Sequence, residues 1–271
     1  MLKSSCRDAF GGGASNLSSP AKLFDVLFKS NRRHERVYSI SSPKTAFTLA
    51  EVLVTLGIIG IVAAMTLPAV INKYQKQETV SQLAAIYSLV SQAIKRAEVD
   101  YESINYWDFN LDSQEFNDKY IKPYFQVIKE YKQNEVPRNI HNYCINGTVC
   151  DDYFGYYDLP KIIIKNGTSL TIRTSASGDG TRFLTFIVDL NGFRKPNMYG
   201  RDIFAFSASA GGKMVPYGVG DVHGGTTHIG YNRDELANGS DYRACNKSKG
   251  GAFCAALIVM DGWQIKDDYP W

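Results

Sequence analysis

The side chain in most need of a chemical explanation is Glu51. It stands inside residues 47–71, FTLAEVLVTLGIIGIVAAMTLPAVI, whose first 21 residues would rise about 30 Å as a helix, the thickness of a bilayer hydrocarbon core. An ionised carboxylate in hydrocarbon costs several kcal/mol, so Glu51 either reaches headgroup water or has a partner or a task. A second set of oxygen donors lies in VDLNGFRKPNMYGRDIFAF, where Asp189, Asn191, Asn197 and Asp202 share one turn-rich loop. Hard cations such as calcium take clustered oxygens of this kind. The spacing is not that of an EF-hand, and the same residue types build turns, with an ion pair from Arg201 or Lys195 as the competing account.

Sulfur chemistry is next. Cys144, Cys150, Cys245 and Cys254 form an even set far from Cys6, as in an exported domain with disulfides. Of the three pairings, the local ones are preferred: Cys144 with Cys150 and Cys245 with Cys254 each close a short loop in a Gly- or Asn-containing stretch. Four free thiols are the alternative. Neither pair has CxxC spacing and no His follows at ligand distance, which excludes a zinc site. His223 and His228, in HGGTTH, lack a neighbouring carboxylate and read as a glycine-rich loop. A nucleophile elbow, P-loop, HExxH or dinucleotide fingerprint is missing too, so the chain does not read as an enzyme.

The elements that position these groups begin with charge. The first 46 residues hold eight Lys/Arg against three Asp/Glu, leaving a net charge of about −2 for the rest. The basic character therefore belongs to the stretch ahead of the apolar run, where it holds that end in the cytoplasm and sends the C-terminus out. The remainder, net acidic, supplies no overall basic stripe for nucleic acid; Lys161, Lys165 and Arg173 are the nearest candidates for a local one. Pro68 lacks the N–H that an unbroken helix uses, which predicts a kink or a melted turn near Thr66 to Pro68.

KTAFTLAEVLVTLGIIGIVAAMTLP resembles the N-terminal signature of type IV prepilins and type II secretion pseudopilins: a small residue before a Phe, TLxE next, a Gly-containing aliphatic run, and a Pro about 22 residues on. The resemblance covers about 25 of 271 residues closely and the helix that follows more loosely. It implies cleavage between Ala46 and Phe47 by a membrane-embedded prepilin peptidase, and N-methylation of Phe47. Glu51 falls on the family's fifth mature position, where its carboxylate would meet the Phe47 amino group of a neighbouring subunit and penalise wrong stagger. The implied partners are other pilin subunits, the inner-membrane assembly platform and the lipid bilayer. The implied route runs from inner-membrane precursor to periplasmic or cell-surface filament. No cofactor is implied beyond calcium, which the major pseudopilin of that family holds in its C-terminal loops. Two departures stand out: Ala46 replaces the usual Gly, a small enough exchange to keep cleavage, and the leader is long, which points to an upstream start codon. A secretory signal peptide fits less well, because the helix continues past the apolar run.

From Val80, the positions Val80, Leu83, Tyr87, Val90, Ile94 and Ala97 recur at intervals of three and four, one apolar stripe of a long helix. Residues 101–135 are aromatic-rich. They read as a segment packed on the head, with a sugar-binding platform as the alternative, and Ser113 as the N-cap of a helix that Pro123 ends. Strand signals dominate from about 153. IIIKNGTSLTI predicts a two-residue type I′ hairpin at Asn166-Gly167, and RFLTFIVDL, apolar on both faces, suits the middle of a sheet. Asn146-Gly-Thr, Asn166-Gly-Thr and Asn238-Gly-Ser read as turns, and GAFCAALIVM as a buried helix or strand.

The predicted architecture is α+β and pilin-like, a long N-terminal transmembrane and amphipathic helix packed on a small antiparallel sheet. Its parts are a leader (1–46), a membrane half-helix (47–68), an amphipathic half-helix (69–100), a connecting region (101–152) and a β-rich head (153–271). The function that follows is a structural filament subunit. The alternatives are a minor or tip subunit that binds a surface, secreted substrate or DNA, and an uncleaved membrane-anchored surface protein.

Overall fold

A computed structural model describes residues 47–151, 154, 157–176, 182–208, 213–219 and 232–271. The chain divides into two units, Met1–Gly57 and Ile58–Trp271. Within the first, Phe47 and Thr48 lead into helix α1 (Leu49–Tyr101), and every side chain up to Gly57 is exposed. The leader, with Ala46, lies outside the described residues, as do His223 and His228.

In the second unit α1 continues unbroken through Pro68, so the turn at Thr66 to Pro68 is not melted as the missing N–H predicts. The Thr66 hydroxyl donates to the Val62 carbonyl at 3.0 Å, one of the local side-chain bonds that help a helix pass a proline. Ile58, Ile59, Ile61, Val62, Met65 and Leu67 are exposed, each by more than half its surface, so among the described residues this stretch stays outside the core. Burial begins further on, at Leu83, Ile86, Val90, Ala93, Ile94 and Ala97. The four large aliphatics among them contribute at most about 1.5–3 kcal/mol each.

That stripe packs on one antiparallel sheet whose strands follow chain order: β1 (Val127–Tyr131), β2 (Lys161–Ile164), β3 (Ser169–Ala176), β4 (Arg182–Asp189), β5 (Ile203–Ala208) and β6 (Met214–Pro216). β4 is interior, paired with β3 and β5. Its Leu184, Phe186 and Val188 join the α1 side of the core, while Ile187 packs with Tyr199 and Ile203 in a separate cluster. Both faces are therefore apolar, as the unbroken hydrophobic run of this strand requires.

Three local expectations need correction. The Asn166-Gly167 hairpin has a three-residue loop: Ile164 pairs with Thr168, the Gly167 N–H donates to Ile164 O, and only Gly167 has positive φ (+88°). That is a type I turn followed by a left-handed glycine, because Asn166 keeps φ negative and a type I′ turn needs both central residues positive. The N-cap of α2 (Ser113–Tyr120) is Asp112, whose carboxylate accepts from Glu115 N at 2.8 Å, and Ser113 is the first helical residue. The sheet also starts earlier than residue 153, at β1 within the connecting region.

Trp107, Phe116 and Tyr120 of that region pack inward, while Tyr106 is exposed. Trp107 stacks on Tyr120 with ring centroids 4.7 Å apart, and Phe116 closes the cluster, so these rings are core and not an exposed sugar platform. Two short helices complete the unit, α3 (Arg233–Asn238) and the buried α4 (Cys254–Met260).

Candidate functional site

At its start α1 carries a reciprocal cap. The Thr48 N–H and hydroxyl both donate to Glu51 Oε2 at 2.8 Å, and Glu51 N–H donates back to Thr48 Oγ1 at 3.2 Å. Thr48 is thus the N-cap and Glu51 the third helical residue, a capping box that satisfies two of the helix's orphan donors. T-x-x-E ahead of an apolar run is its sequence sign; the reading of Glu51 as a lone charge passed over Thr48. Both of Thr48's bonds fall on one carboxylate oxygen. Oε1 has no hydrogen bond among the described residues, and Phe47, the residue before Thr48, is 86% exposed. Glu51 is the one charged residue in 47–71, on a helix long and apolar enough to cross a membrane.

The oxygen-rich loop joins β4 to β5, and the structure brings its four residues together. Asp202 holds the loop: Oδ2 accepts from Asn197 N (2.8 Å) and Asn191 Nδ2 (3.1 Å), and Oδ1 from Met198 N (2.6 Å). Asp189, at the end of β4, accepts from Asn191 N at 3.2 Å. Burial pushes both carboxyls above the usual range, and at Asp189 the neighbouring Asp202 adds to the effect. Asn191 Oδ1 and Asn197 Oδ1 are buried without partners. The donor set therefore suits a hard cation in type, two carboxylates and two amide oxygens, although Asp202 already accepts three N–H bonds. The ion pair from Lys195 or Arg201 is absent among the described residues; the Arg201 guanidinium lies over the Trp271 ring, 5.0 Å from its centroid.

The cysteines sit at disulfide distance in the local pairs, Cα–Cα 5.4 Å for Cys144 and Cys150 and 4.8 Å for Cys245 and Cys254. The first closes a loop with a cluster that the sequence does not announce. His141 Nδ1 lies 2.6 Å from Asp151 Oδ2, and the Tyr157 hydroxyl donates to Ile140 O at 2.8 Å. The same hydroxyl lies 3.4 Å from His141 Nδ1 and donates to Asp151 Oδ2 at 3.2 Å, so the three side chains form one cluster that fastens the loop. The described residues also hold no group of three or more His, Cys, Asp or Glu that could bind a metal. Lys161 is 1% exposed, its ammonium donating to Thr171 Oγ1 at 3.0 Å, so it cannot belong to a nucleic-acid-binding stripe with Lys165 and Arg173.

Comparison with known proteins gives two matches along the chain. Residues 42–67 match the prokaryotic N-terminal methylation motif, and residues 69–271 match the family of unknown function DUF6613. No curated protein and no solved structure matches. The motif is the type IV prepilin-like signal, and proteins that carry it are structural. The chain, pilin-like in architecture, belongs to the DUF6613 family and carries a type IV pilin or pseudopilin type of N-terminus.

Proposed function

We propose that the chain is a subunit of a type IV pilus or type II secretion filament, matured by prepilin peptidase between Ala46 and Phe47 and N-methylated on Phe47. The observation that supports this most is the methylation motif at residues 42–67, running onto a half-helix whose apolar side chains are exposed among the described residues. In a bilayer lipid covers that surface; in a filament the same half-helices of neighbouring subunits cover it. Glu51 then supplies register: the cap leaves Oε1 free to accept from the Phe47 ammonium of an adjacent subunit. The test is the N-terminal residue and mass of the protein recovered from membranes, with and without active peptidase. A methylated Phe47 terminus that depends on the enzyme is the expected result. An intact leader would overturn the proposal in favour of a signal-anchored surface protein.

Calcium binding by the β4–β5 loop is a second element of the proposal, favoured by the two partnerless amide oxygens of Asn191 and Asn197. Asp189, Asn191, Asn197 and Asp202 would hold the ion, which would neutralise two buried carboxyls. Thermal unfolding with excess calcium should occur at higher temperature than with EDTA, and equal midpoints would remove calcium from the proposal.

A further inference from the structure

The apolar run of α1 ends at Ile71, and Lys73 and Lys76 follow within the next turns. Two grooves flank this stretch. One, of about 880 Å³, runs from Ala69 to Ser81 along α1 and is walled by Lys73, Lys76, Trp263 and Ile265. The other, of about 560 Å³, lies beside Gln75 to Gln82 and is walled by Arg194, Lys195 and Trp271. The two grooves overlap along α1 between Gln75 and Ser81, so their cations and indoles lie along the turns that follow its apolar part.

Lys73, Lys76, Arg194 and Lys195 form no ion pair among the described residues. The acids that share the grooves are Asp267 in the first and Glu78 and Asp202 in the second. Asp202 is bound to its own loop, and Glu78 accepts from Gln82 at 3.2 Å. Four cations without an ion pair, one of them Arg194 with its Nε donating to the Asn191 carbonyl at 3.0 Å, thus face two accessible carboxylates. The two tryptophans are fixed by neighbouring rings and cations: Trp263 edge-on to Tyr87 at 5.4 Å, Trp271 beneath Arg201. Tryptophan with lysine or arginine beside the end of an apolar helix is the composition that settles at headgroup depth, stems along acyl chains and charges on phosphate.

We infer that this collar docks on the phosphate groups of anionic phospholipids in the leaflet where the apolar run of α1 ends. The inference rests on the membrane-anchored reading and adds a lipid preference to it. Each cation contributes about fivefold in affinity near an anionic surface, so Lys73→Gln with Lys76→Gln should weaken anionic lipid binding about 25-fold, and Arg194→Gln with Lys195→Gln similarly.

The full chain in detergent is titrated with phosphatidylglycerol or phosphatidylcholine, and bound lipid is counted by native mass spectrometry. Tighter binding of phosphatidylglycerol, lost in both double variants while phosphatidylcholine binding stays unchanged, is the expected result. Equal binding of the two lipids, or wild-type behaviour of both variants, overturns the collar. So does displacement of phosphatidylglycerol by equimolar inorganic phosphate, which would mark a free-phosphate site. Flotation with pure phosphatidylcholine vesicles tests the anchor separately: failure to float overturns the anchor and the collar together, and flotation with equal lipid binding overturns the collar alone.

Discussion

Glu51→Gln separates two tasks that the same carboxylate performs. Within the subunit Glu51 closes a capping box with Thr48, and a Gln carbonyl oxygen can accept the same two bonds. The neutral side chain therefore keeps most of a cap worth about 1 kcal/mol, about fivefold in helix stability. Between proposed subunits the charge matters: leaving a buried ammonium without its carboxylate costs about 3–5 kcal/mol, roughly 150- to 5,000-fold per contact. Glu51→Gln should thus be inserted and processed as wild type yet yield almost no filament, and Glu51→Ala, which loses cap and charge together, should look no worse in assembly. The assay is sheared filament yield set against the cleaved, membrane-held pool, with the terminus checked by mass. Filaments from Glu51→Gln at wild-type yield, with Glu51→Ala failing, would refute the register argument and leave Glu51 as a helix cap.

Other outcomes follow from the head. Replacing Cys245 and Cys254 by Ala together removes closure of a short loop and should cost about 2–3 kcal/mol, read by urea denaturation of the full chain; unchanged stability would show that the pair is not bonded. Lys161 is held down to about 7 by burial, only partly opposed by Asp189 and Asp158. A lysine that titrates lower in the folded than in the unfolded state destabilises fully below pH 7 and is relieved as pH rises toward about 10.4. Stability should therefore climb across that window in wild type, by up to roughly 1.4 kcal/mol per pH unit, and Lys161→Met should flatten the climb; a persistent slope would refute the assignment. Arg233 forks onto Asp261 at 2.6 and 2.8 Å and, with Lys266, holds that carboxyl below its usual range. A depressed carboxyl stabilises above its unfolded value and loses the contribution as pH falls through the folded one. Arg233→Met should lower stability at pH 7 by about 1–3 kcal/mol and shrink the acid-side loss below about pH 4, followed by thermal unfolding against pH.

Long periodic signals were the legible part of this chain. The stripe from Leu83 to Ala97 and the two-faced strand at Arg182–Asp189 follow from apolar spacing, because burial leaves residues of that spacing few other places to go, while the pilin-like layout followed from the resemblance of the N-terminal signature. β1 was not legible: VIKEY exposes Ile128 and Lys129 at the sheet edge and pairs along one side only, so its pattern lacks the alternation of a half-buried strand. Asp112 and Ser113 are both good caps, and the choice between them rests on which carboxylate or hydroxyl reaches Glu115 N, a matter of backbone angle and not of residue type. Lys161 looked like surface because lysines usually are; its burial is set by β2 lying between β1 and β3. At the candidate site, Thr48 was legible in T-x-x-E but was overshadowed by the more conspicuous charge.

The bareness of residues 47–71 decides where the energy of assembly must come from. Apolar side chains there are exposed among the described residues, and in the proposed filament lipid or neighbouring helices cover them. Moving such a helix from lipid into a bundle exchanges one apolar surrounding for another, and the hydrophobic effect provides little drive for the transfer. Discrimination between correct and shifted neighbours then falls to polar groups and close packing. In this stretch the polar inventory is one carboxylate and three threonines, and Thr55 and Thr66 already donate to the helix's own carbonyls at 3.0 Å. Thr48 is spent on Oε2. What is left is Oε1 of Glu51, and in the proposed filament a helix that slid by one turn, about 5.4 Å, would separate that oxygen from the Phe47 ammonium of an adjacent subunit. In the proposed filament a single unsatisfied oxygen therefore sets the stagger of the whole apolar bundle.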